Sequence, residues 1–302
     1  MNQKLSIILS IVLIALALLF VSGQQGCQGT EKETFDTGAL TMNFVADAPP
    51  SQVNYGQTFP IYVDIKNNGG YDIGAASATF YLTGIGDNLR GVTTKLTNDN
   101  ILVKKTPTSE GGSARLKFAE AATPAVPLQT AFTLNFQLTS CYDYFMLSES
   151  AICAGKTSNV CSVEGEKISA SRNSASPIQV TSVIERIEGN KLYYDIIIEN
   201  KGTGKVYLTN TDCEKIQKND LNEKRKEGMV DIAIKTTEPI SCNLQDKAEP
   251  YSTISALEGT AKLGKITCVE TLPSETHSAP FEVSISYKYV ESQTKTLTIL
   301  PA

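Results

Sequence analysis

The sequence predicts an all-β protein in which an N-terminal hydrophobic helix precedes two antiparallel β-sandwiches arranged in tandem. Three observations predict this fold class. Short stretches alternate apolar and polar residues, turn-forming residues separate them, and two segment patterns recur in the same order in each half. Alternation with a period of two puts every second side chain on one face of a strand. Many short strands separated by turns are typical of antiparallel sandwiches.

The N-terminal segment is an apolar, uncharged run from Leu5 to Val21 that follows Lys4. A short basic start, an apolar core and a small-residue exit form the pattern of a secretory signal. The run is close to the length of about 20 residues that a membrane span needs. Residues 1–27 are therefore predicted to be a signal peptide or membrane anchor, followed by a polar spacer at 28–38.

Cys27 is the candidate lipid anchor. It is the first cysteine and lies a few residues beyond the apolar run, where a lipoprotein signal places the cysteine that carries lipid. The usual recognition sequence has an apolar residue three positions before the cysteine and small residues next to it. Of Gln24, Gln25 and Gly26, only Gly26 fits that pattern. Lipid attachment, an uncleaved helix, and cleavage with release are therefore three open hypotheses, and each places the rest of the chain outside the cytoplasm.

Ten stretches of the chain alternate apolar and polar residues in the manner of strands. They are Thr41–Val45, Phe59–Ile65, Ala78–Leu82, Ala114–Phe118, Phe132–Leu138, Ile178–Ile184, Leu192–Ile198, Met229–Ile234, Phe281–Tyr289 and Lys295–Ile299. Gly, Pro, Asn and Asp residues lie between them and favour tight turns. The exception is Glu214–Glu227, the most densely charged stretch, which is expected to be a solvated loop, a short exposed helix or a partner-docking site.

Two sequence matches indicate that the architecture is repeated. Residues 59–69 (FPIYVDIKNNG) align without gaps to residues 192–202 (LYYDIIIENKG), and both end in Asn-x-Gly. Near the other end of each half, Phe136–Tyr144 aligns with Phe281–Tyr289, so the Tyr-x-Tyr pairs at 142/144 and 287/289 are equivalent. We therefore predict a first sandwich at 39–168, a linker at 169–176 and a second sandwich at 177–302. The tyrosines are expected to pack in the core or at its rim.

Six cysteines follow Cys27, and an even number outside the cytoplasm predicts disulfides. They are Cys141, Cys153, Cys161, Cys213, Cys242 and Cys268. Each half holds three, so one bridge crosses between the halves or one thiol in each half stays free. Our predicted pairing is Cys141–Cys153, Cys242–Cys268 and a crossing bridge Cys161–Cys213. Zinc is not predicted, because the usual close cysteine pairs are absent and His277 is the only histidine.

The chain resembles secreted or lipoprotein-like envelope proteins of archaea that are built from immunoglobulin-like β-sandwiches. The resemblance rests on the apolar segment before Cys27, the strand that ends in Asn-x-Gly at 67–69, the Cys-Tyr-x-Tyr segment at 141–144, and Asn-x-Gly-x-Gly at 200–204. It covers most of the chain. It implies two tandem immunoglobulin-like domains, a location in the cell envelope on the outer face of the cytoplasmic membrane, and a role in adhesion, spacing or partner docking.

No catalytic, cofactor-binding or metal-binding residue is predicted. Phosphate-loop, dinucleotide-binding and zinc-protease motifs are absent from the sequence. His277 has no accompanying nucleophile motif and is expected to be an exposed loop residue. Calcium at Asp212, Asp220 and Glu223 is a metal alternative, although their spacing is not that of an EF-hand. The net charge of −5 does not favour non-specific binding of nucleic acid.

The leading hypothesis is therefore a membrane-tethered, non-enzymatic surface protein that serves adhesion, partner docking or spacing. Its expected partners are the membrane, through the N-terminus, and a protein or surface polymer. The alternative is an extracytoplasmic hydrolase or its carbohydrate-binding accessory subunit. That alternative requires a deep cleft with converging carboxylates, or His277 beside an activated nucleophile.

Overall fold

The computed structural model describes residues 36–125, 130–248 and 255–301. The predicted N-terminal helix and Cys27 lie outside these ranges. The described chain is all-β, as predicted, and its strands form several largely antiparallel sheets. Residues Phe35–Ala302 form one compact unit. Within the described ranges, no helix is long and apolar enough to cross a membrane.

The first half contains eight strands among the described residues. They are β1 (Leu40–Phe44), β2 (Gln52–Asn54), β3 (Phe59–Asn67), β4 (Ala78–Thr83), β5 (Leu89–Arg90), β6 (Lys95–Thr97), β7 (Ser113–Pro124) and β8 (Phe132–Ala154). A 3-10 turn, Gly86–Asn88, precedes β5. The apolar period of two explains β3, in which Phe59, Ile61 and Val63 are buried and the residues between them are half-exposed.

The second half contains nine strands and two short helices among the described residues. The strands are β9 (Ile178–Glu188), β10 (Lys191–Asn200), β11 (Lys205–Tyr207), β12 (Met229–Thr236), β13 (Ser241–Cys242), β14 (Gln245–Ala248), β15 (Ser255–Lys262), β16 (Gly264–Thr271) and β17 (His277–Leu300). The helices are α1 (Cys213–Gln217) and α2 (Leu221–Lys224), and a 3-10 turn, Ala170–Arg172, lies between the halves. In β10, Leu192, Tyr194 and Ile196 repeat the buried pattern of β3.

Each half carries a four-stranded sheet with the same strand order. In the first half the order is β1-β3-β7-β5, and in the second half it is β9-β10-β16-β13. The strands that end in Asn-x-Gly, β3 and β10, occupy the same position in the two sheets. The matched segments of the sequence therefore fold into matched positions of the structure.

A nine-stranded sheet joins the two halves. Its order is β14-β15-β12-β17-β8-β4-β6, and β2 and β11 also pair with β17. At its centre, β8 and β17 pair antiparallel over 23 consecutive positions, from Phe132 opposite Ile299 to Ala154 opposite His277. We call this pair of strands the central ribbon. At a rise of roughly 3.3 Å per residue, the ribbon is about 75 Å long.

The central ribbon has a local two-fold axis. Asp143 and Lys288 lie directly opposite each other, and their side chains form an ion pair of 2.6 Å. These two residues are also equivalent positions of the sequence repeat. The strand order is the same on either side, with β12 and β15 following β17, and β4 and β6 following β8. The halves therefore pair through equivalent strands, as the subunits of a symmetric dimer do.

Each long strand belongs to both halves. β8 pairs with β4 in the first half, and near its end the Cys153 N–H donates to Glu185 in the second half. β17 pairs with β12 in the second half, and its last residues pair in parallel with β2 in the first half. Buried apolar residues of both halves form one continuous core. Each half therefore depends on a strand that the other half supplies.

The predicted linker, 169–176, lies at the junction of the two halves. The Ala175 carbonyl accepts a hydrogen bond from the Gly70 N–H (2.8 Å). The Ser176 hydroxyl is buried and lies 2.6 Å from the Tyr287 hydroxyl. This segment therefore packs against both halves, because the shared strands bring them together there. The boundary between two sandwich domains stays a prediction.

Four buried tyrosines surround the local two-fold axis. Across the ribbon, Tyr142 lies opposite Tyr289 and Tyr144 lies opposite Tyr287. The ring centroids of neighbours are 5.8, 6.0, 6.1 and 6.2 Å apart, so the four edge-on or tilted contacts close a cycle. Each such contact contributes about 0.5–1.5 kcal/mol beyond the burial of area. The repeated tyrosines thus form the centre of the core.

The two Asn-x-Gly turns pack on these tyrosines. In each turn the asparagine side chain accepts the N–H of the glycine two residues on, at 3.1 Å in the first half and 3.0 Å in the second. A Cβ on Gly69 would overlap the Tyr144 hydroxyl, and a Cβ on Gly202 would overlap the Tyr289 hydroxyl. The two repeated motifs are therefore the two sides of one contact, and that contact requires glycine.

All six cysteines of the described residues form disulfides. The pairs are Cys141–Cys213, Cys153–Cys161 and Cys242–Cys268. The Cys242–Cys268 pairing is confirmed, whereas the predicted pairings Cys141–Cys153 and Cys161–Cys213 are wrong. A bridge between the halves exists, with Cys141 in place of Cys161.

The segments that lie beside the two mispaired cysteines explain the correction. Cys141 points away from the Tyr142 side of β8, as predicted. On the side opposite Tyr142 it meets the α1 segment, where it packs near Tyr81 and Ile216. Cys153 is buried in the main core, near the end of β8. The chain turns back there, and Cys161 reaches Cys153 after only 8 residues.

Gly69→Ala is expected to lower the free energy of unfolding by about 1–3 kcal/mol, because the added methyl group overlaps the Tyr144 hydroxyl in a close-packed core. Urea unfolding followed by circular dichroism measures this loss. Adding Tyr144→Phe removes the overlapping oxygen and is expected to recover part of the loss. Wild-type stability for Gly69→Ala, or no recovery in the double variant, would contradict the contact.

Removing the bridge between the halves is expected to destabilise the protein more than removing the local bridge. Cys141–Cys213 closes 72 residues of chain, and its loss through Cys141→Ala with Cys213→Ala is expected to lower the free energy of unfolding by about 4 kcal/mol. Cys153–Cys161 closes 8 residues, and its loss corresponds to about 2.5 kcal/mol. Urea unfolding of both double variants under oxidising conditions compares them. Equal losses would contradict this order.

Candidate functional site

A cluster of buried ionisable side chains lies in the second half. Glu185 of β9 and Glu270 of β16 are only 5% and 3% exposed, and Tyr194 of β10 is buried between these two strands. Lys167 reaches Glu185 from the segment just before the predicted linker. Burying a charge is unfavourable unless it is paired, so such groups are paired or neutral. We call Glu185, Glu270, Tyr194 and Lys167 the carboxyl cluster.

Strand phase places both carboxyl groups in the core. Glu185 lies two residues after the buried Val183, and Glu270 lies two residues after the buried Cys268. Tyr194 lies directly opposite Glu185 on one neighbouring strand and directly opposite Cys268 on the other. The three neighbouring strands β9, β10 and β16 therefore bring the polar groups together on the inner face of one sheet.

Glu185 has two partners. Its Oε1 accepts the Cys153 N–H (2.7 Å), and its Oε2 lies 3.3 Å from the Lys167 ammonium. Burial raises the pKa of Glu185 to about 7, while the Cys153 N–H and Lys167 act in the opposite direction. The charge of Glu270 adds to the increase. Desolvation thus outweighs the pairing with Lys167, and this carboxyl group exchanges its proton near neutral pH.

Glu270 accepts a hydrogen bond of 2.5 Å from the Tyr194 hydroxyl. Burial raises the pKa of Glu270, the Tyr194 hydroxyl opposes this, and the charge of Glu238 reinforces it. Burial beside Glu270 also raises the pKa of Tyr194 well above its ordinary value, so the tyrosine is a donor at every physiological pH. The Phe281 ring, with its centroid 5.5 Å from that of Tyr194, packs beside the tyrosine.

The carboxyl cluster can store a proton at neutral pH. Glu270 lines a surface depression of about 320 Å³ together with Lys191 and Ser241. Glu185 does not line that depression, so the two carboxyl groups do not converge on one cleft there. In the described ranges, no group of three or more His, Cys, Asp or Glu side chains is placed to hold a metal ion.

His277 lies at the start of β17 and is half-buried, where an exposed loop residue is expected from the sequence. It lies opposite Ala154 in the central ribbon, and its Nδ1 is 3.2 Å from the Glu275 carbonyl oxygen. Ala154 follows Cys153, whose N–H donates to Glu185, so His277 lies near the carboxyl cluster. The structure therefore brings the single histidine near the buried carboxyl groups, a grouping that the sequence does not predict.

The charged segment Glu214–Glu227 is attached to the first half. Ile216 of α1 packs near Tyr81, and the Lys95 ammonium lies 3.1 Å from the Glu214 carboxylate. Together with the disulfide of Cys213, these contacts hold the second half's helical segment over β4 and β6 of the first half. The segment is therefore a clamp between the halves.

The three carboxylates considered for calcium have other partners. Asp212 accepts the N–H groups of the first turn of α1 and caps that helix, and Asp220 does the same for α2. Glu223 accepts the Asp212 N–H (3.0 Å) and pairs with Lys226 (2.9 Å). Side-chain oxygens at N-caps satisfy helix donors that have no other partner. The calcium alternative therefore lacks a converging set of oxygens at these positions.

Two larger depressions lie on sheet faces. One of about 890 Å³ is on the face of β1, β3 and β7, lined by Thr41, Asn43, Asp64, Lys66 and Arg115 with their neighbours. In it, Arg115 binds both carboxylate oxygens of Asp64, at 2.6 and 2.9 Å. The other, of about 420 Å³, is on the face of β12, β15 and β17 and is lined mainly by small and acidic residues. Polar side chains on strands line both depressions, together with apolar ones such as Ile65 and Ala114 in the first.

The carboxyl cluster is the part of the structure that the sequence analysis missed. A signal exists for Glu270, which continues the buried phase of Ile266 and Cys268. Glu185 has no such signal, because its phase is opposite to that of Ile178 and Val180 until a β-bulge at Thr181 turns it inward. A glutamate in core phase indicates either a break in the strand or a buried carboxyl group with partners. The six disulfide cysteines were expected, and the structure brings all of them together in pairs.

Comparison with known proteins gives no family assignment. No protein-family model and no curated protein matches the sequence. Among solved structures, the secreted serine protease VesC from Vibrio cholerae is similar at 11% identity over 82% of this chain, with a TM-score of 0.21. The match covers 50% of the VesC chain, so this chain spans about half of that structure. A likeness at that TM-score carries no argument about fold or activity.

The stability of the protein is expected to rise as the pH falls from 8 to 5. Glu185 has a folded-state pKa of about 7 against 4.5 for a free glutamate, so in this window the folded state binds a proton that the unfolded state releases. The gain from this group is about 2–3 kcal/mol, and it is lost as the pH rises through 7. Urea unfolding at pH 8 and at pH 5 measures this difference in the free energy of unfolding.

Glu185→Gln tests whether Glu185 is the source of this pH dependence of stability. It is expected to remove most of the pH dependence, because glutamine fills the same space without titrating. Glu149→Gln, at an exposed position of β8, is the matched control and should leave the dependence unchanged. A Glu185→Gln protein that keeps the full wild-type dependence would rule out the carboxyl cluster as its source.

Proposed function

We propose that this chain is a non-enzymatic, extracytoplasmic protein, attached by its N-terminal segment to the outer face of the cytoplasmic membrane, that serves adhesion, docking or spacing. The observation that carries the proposal is the central ribbon, which joins both halves in one body about 75 Å long. A stiff body of that length holds two ends at a fixed separation and presents its sheet faces to a protein or a surface polymer.

The disulfides support the extracytoplasmic location. Three bridges pair all the cysteines of the described residues, and such bridges persist in oxidising compartments outside the cytoplasm. The apolar run Leu5–Val21 supports attachment to the membrane, either as an uncleaved helix or through lipid on Cys27. Both forms of attachment leave the folded body on the outer side of the cytoplasmic membrane.

The finer fold belongs to the same proposal. The body is two copies of one immunoglobulin-like sandwich that pair through equivalent strands. Support comes from the matching strand orders β1-β3-β7-β5 and β9-β10-β16-β13, and from the local two-fold axis at Asp143 and Lys288. Duplication of a domain that paired with itself would produce this arrangement, because a two-fold interface uses the same surface twice.

The depression on the face of β1, β3 and β7 is the docking face in this proposal. Its side chains include amide, hydroxyl and guanidinium groups from Asn43, Thr41 and Arg115, which hydrogen-bond polar partners. These groups stand on strands of a disulfide-bonded body, so their positions are fixed before binding. Preorganised groups lose little conformational entropy when they bind.

In the native host, the full chain is expected to fractionate with membranes and to be cut by protease added from outside. Mass spectrometry of the mature N-terminus then decides the attachment, since a lipid-bearing Cys27 or an intact Met1 gives different terminal peptides. A photo-reactive residue at Asn43 is expected to give a discrete crosslinked product in these membranes. The same residue at the exposed Leu221 is the matched control and should not give that product.

A chain protected from external protease would contradict the location. Hydrolysis of an envelope polymer that disappears in Glu270→Gln or His277→Ala, with no crosslinked product at Asn43, would instead support the hydrolase alternative. Both variants alter groups at or beside the carboxyl cluster. Their folding is checked by circular dichroism before activity is compared.

A further inference from the structure

Three of the five exposed large apolar side chains in the described part of the first half lie on neighbouring segments. Tyr71, Ile101 and Val103 are 42%, 59% and 46% exposed. They lie on two segments that pair at Ile73 and Leu102, whose backbones exchange hydrogen bonds of 3.0 and 2.9 Å. We call Tyr71, Ile101 and Val103 the apolar patch. The bridge between the buried Ile73 and Leu102 holds the two segments together, and the Tyr71 ring packs beside those of Tyr144 and Phe145.

The apolar patch adjoins the point where the N-terminal segment meets the folded body. The carbonyl of Asp36 accepts the Ser176 N–H (3.0 Å). The preceding residue, Ala175, accepts the Gly70 N–H (2.8 Å), and Tyr71 follows Gly70 directly. A chain that leaves the body at Asp36 therefore starts beside the patch, at the middle of the molecule and not at either end of the central ribbon.

The length of chain before Asp36 limits how far the patch can be from the membrane. The apolar run ends at Val21, and residues 22–35 connect it to the body. A fully extended chain of that length spans at most about 50 Å. With the apolar run or Cys27 in the bilayer, the apolar patch is confined to this distance from the lipid surface. Such confinement raises the effective concentration of the apolar patch at the lipid surface, so that even a weak contact forms.

Two lysines flank the apolar patch. Lys104 and Lys105 follow Val103 and are both exposed, and within the described part of the chain neither side chain takes part in an ion pair. The carboxylate of Asp72 accepts the backbone N–H of Lys104 (2.6 Å). Exposed tyrosine and aliphatic side chains beside lysines are the combination found where proteins meet the headgroup region of a bilayer.

We propose that the apolar patch, together with Lys104 and Lys105, lies against the headgroup region of an anionic lipid bilayer. This inference rests on the proposed attachment of the N-terminal segment to the membrane. Tyr71, Ile101 and Val103 enter the boundary between headgroups and acyl chains, and the two lysines pair with anionic headgroups. In this arrangement the junction of the two halves faces the bilayer, and the central ribbon runs along the membrane surface.

The test uses the full chain reconstituted in vesicles through its N-terminal segment. The sequence has no Trp, so one introduced tryptophan is the only indole in the protein. The Ile101→Trp indole is expected to emit at shorter wavelength than an indole in water and to be quenched in vesicles with brominated acyl chains relative to unbrominated vesicles. Val160→Trp and Leu221→Trp, at positions 61% and 72% exposed, are the matched controls and are expected to show neither change.

The charge dependence is tested in the Ile101→Trp background. Lys104→Gln with Lys105→Gln is expected to lower the ratio of docked to undocked protein about thirtyfold on vesicles that contain phosphatidylglycerol, at about fivefold per lysine. The same pair should have little effect on vesicles of phosphatidylcholine alone.

Flotation of the vesicles distinguishes the proposed attachment by the N-terminal segment from the proposed lipid contact of the apolar patch. An Ile101→Trp chain that floats with the vesicles while its indole fluorescence is unquenched, or no more quenched than the controls, overturns the lipid contact and leaves the attachment intact. A chain that does not float overturns the attachment and the contact together. A blue shift of the Ile101→Trp indole without quenching by the brominated chains would assign the patch to contact between copies and overturn the lipid contact.

Discussion

The antiparallel ladder between β8 and β17 is the interaction on which the rest of the structure depends. Its 23 consecutive pairs run through both halves, so each half is closed by a strand that the other half supplies. Buried backbone N–H and C=O groups need partners, and loss of either strand would leave unpaired groups in both halves. The halves are therefore expected to fold together, and the junction between them cannot work as a hinge.

Side-chain packing at the axis of this ladder connects the two repeated motifs. Each Asn-x-Gly turn is closed by its own asparagine, and its glycine leaves space for a tyrosine of the ladder. The tyrosines of both halves then contact one another in a cycle. A change in one turn is transmitted to the other half through rings in contact, because close-packed cores do not deform continuously. The same contact explains why both motifs recur together in the sequence.

The all-β class, the repeat and the burial of the tyrosines can be predicted because alternation and gapless matches report side-chain phase. Phase alone does not say which distant segment covers a given face. Cys141 points to the predicted side, yet its partner comes from 72 residues away. Glu270 is in core phase in the sequence, whereas Glu185 reaches the core only because a β-bulge changes the phase of its strand. The partners of these carboxyl groups, Tyr194 and Lys167, belong to other segments. Long-range pairing is the information that a single sequence lacks.

The entry of the chain beside the local two-fold axis has a mechanical consequence. A pull on the N-terminal segment acts at the middle of the ribbon, through the bonds of Asp36 to Ser176 and Gln179. Loads at the two ends then act on arms of about 38 Å each, and their torques oppose one another. Under the proposed attachment, a load at one end alone would turn the ribbon about Asp36 and move its opposite end the other way. The ribbon would then act as a lever with its fulcrum near the local two-fold axis.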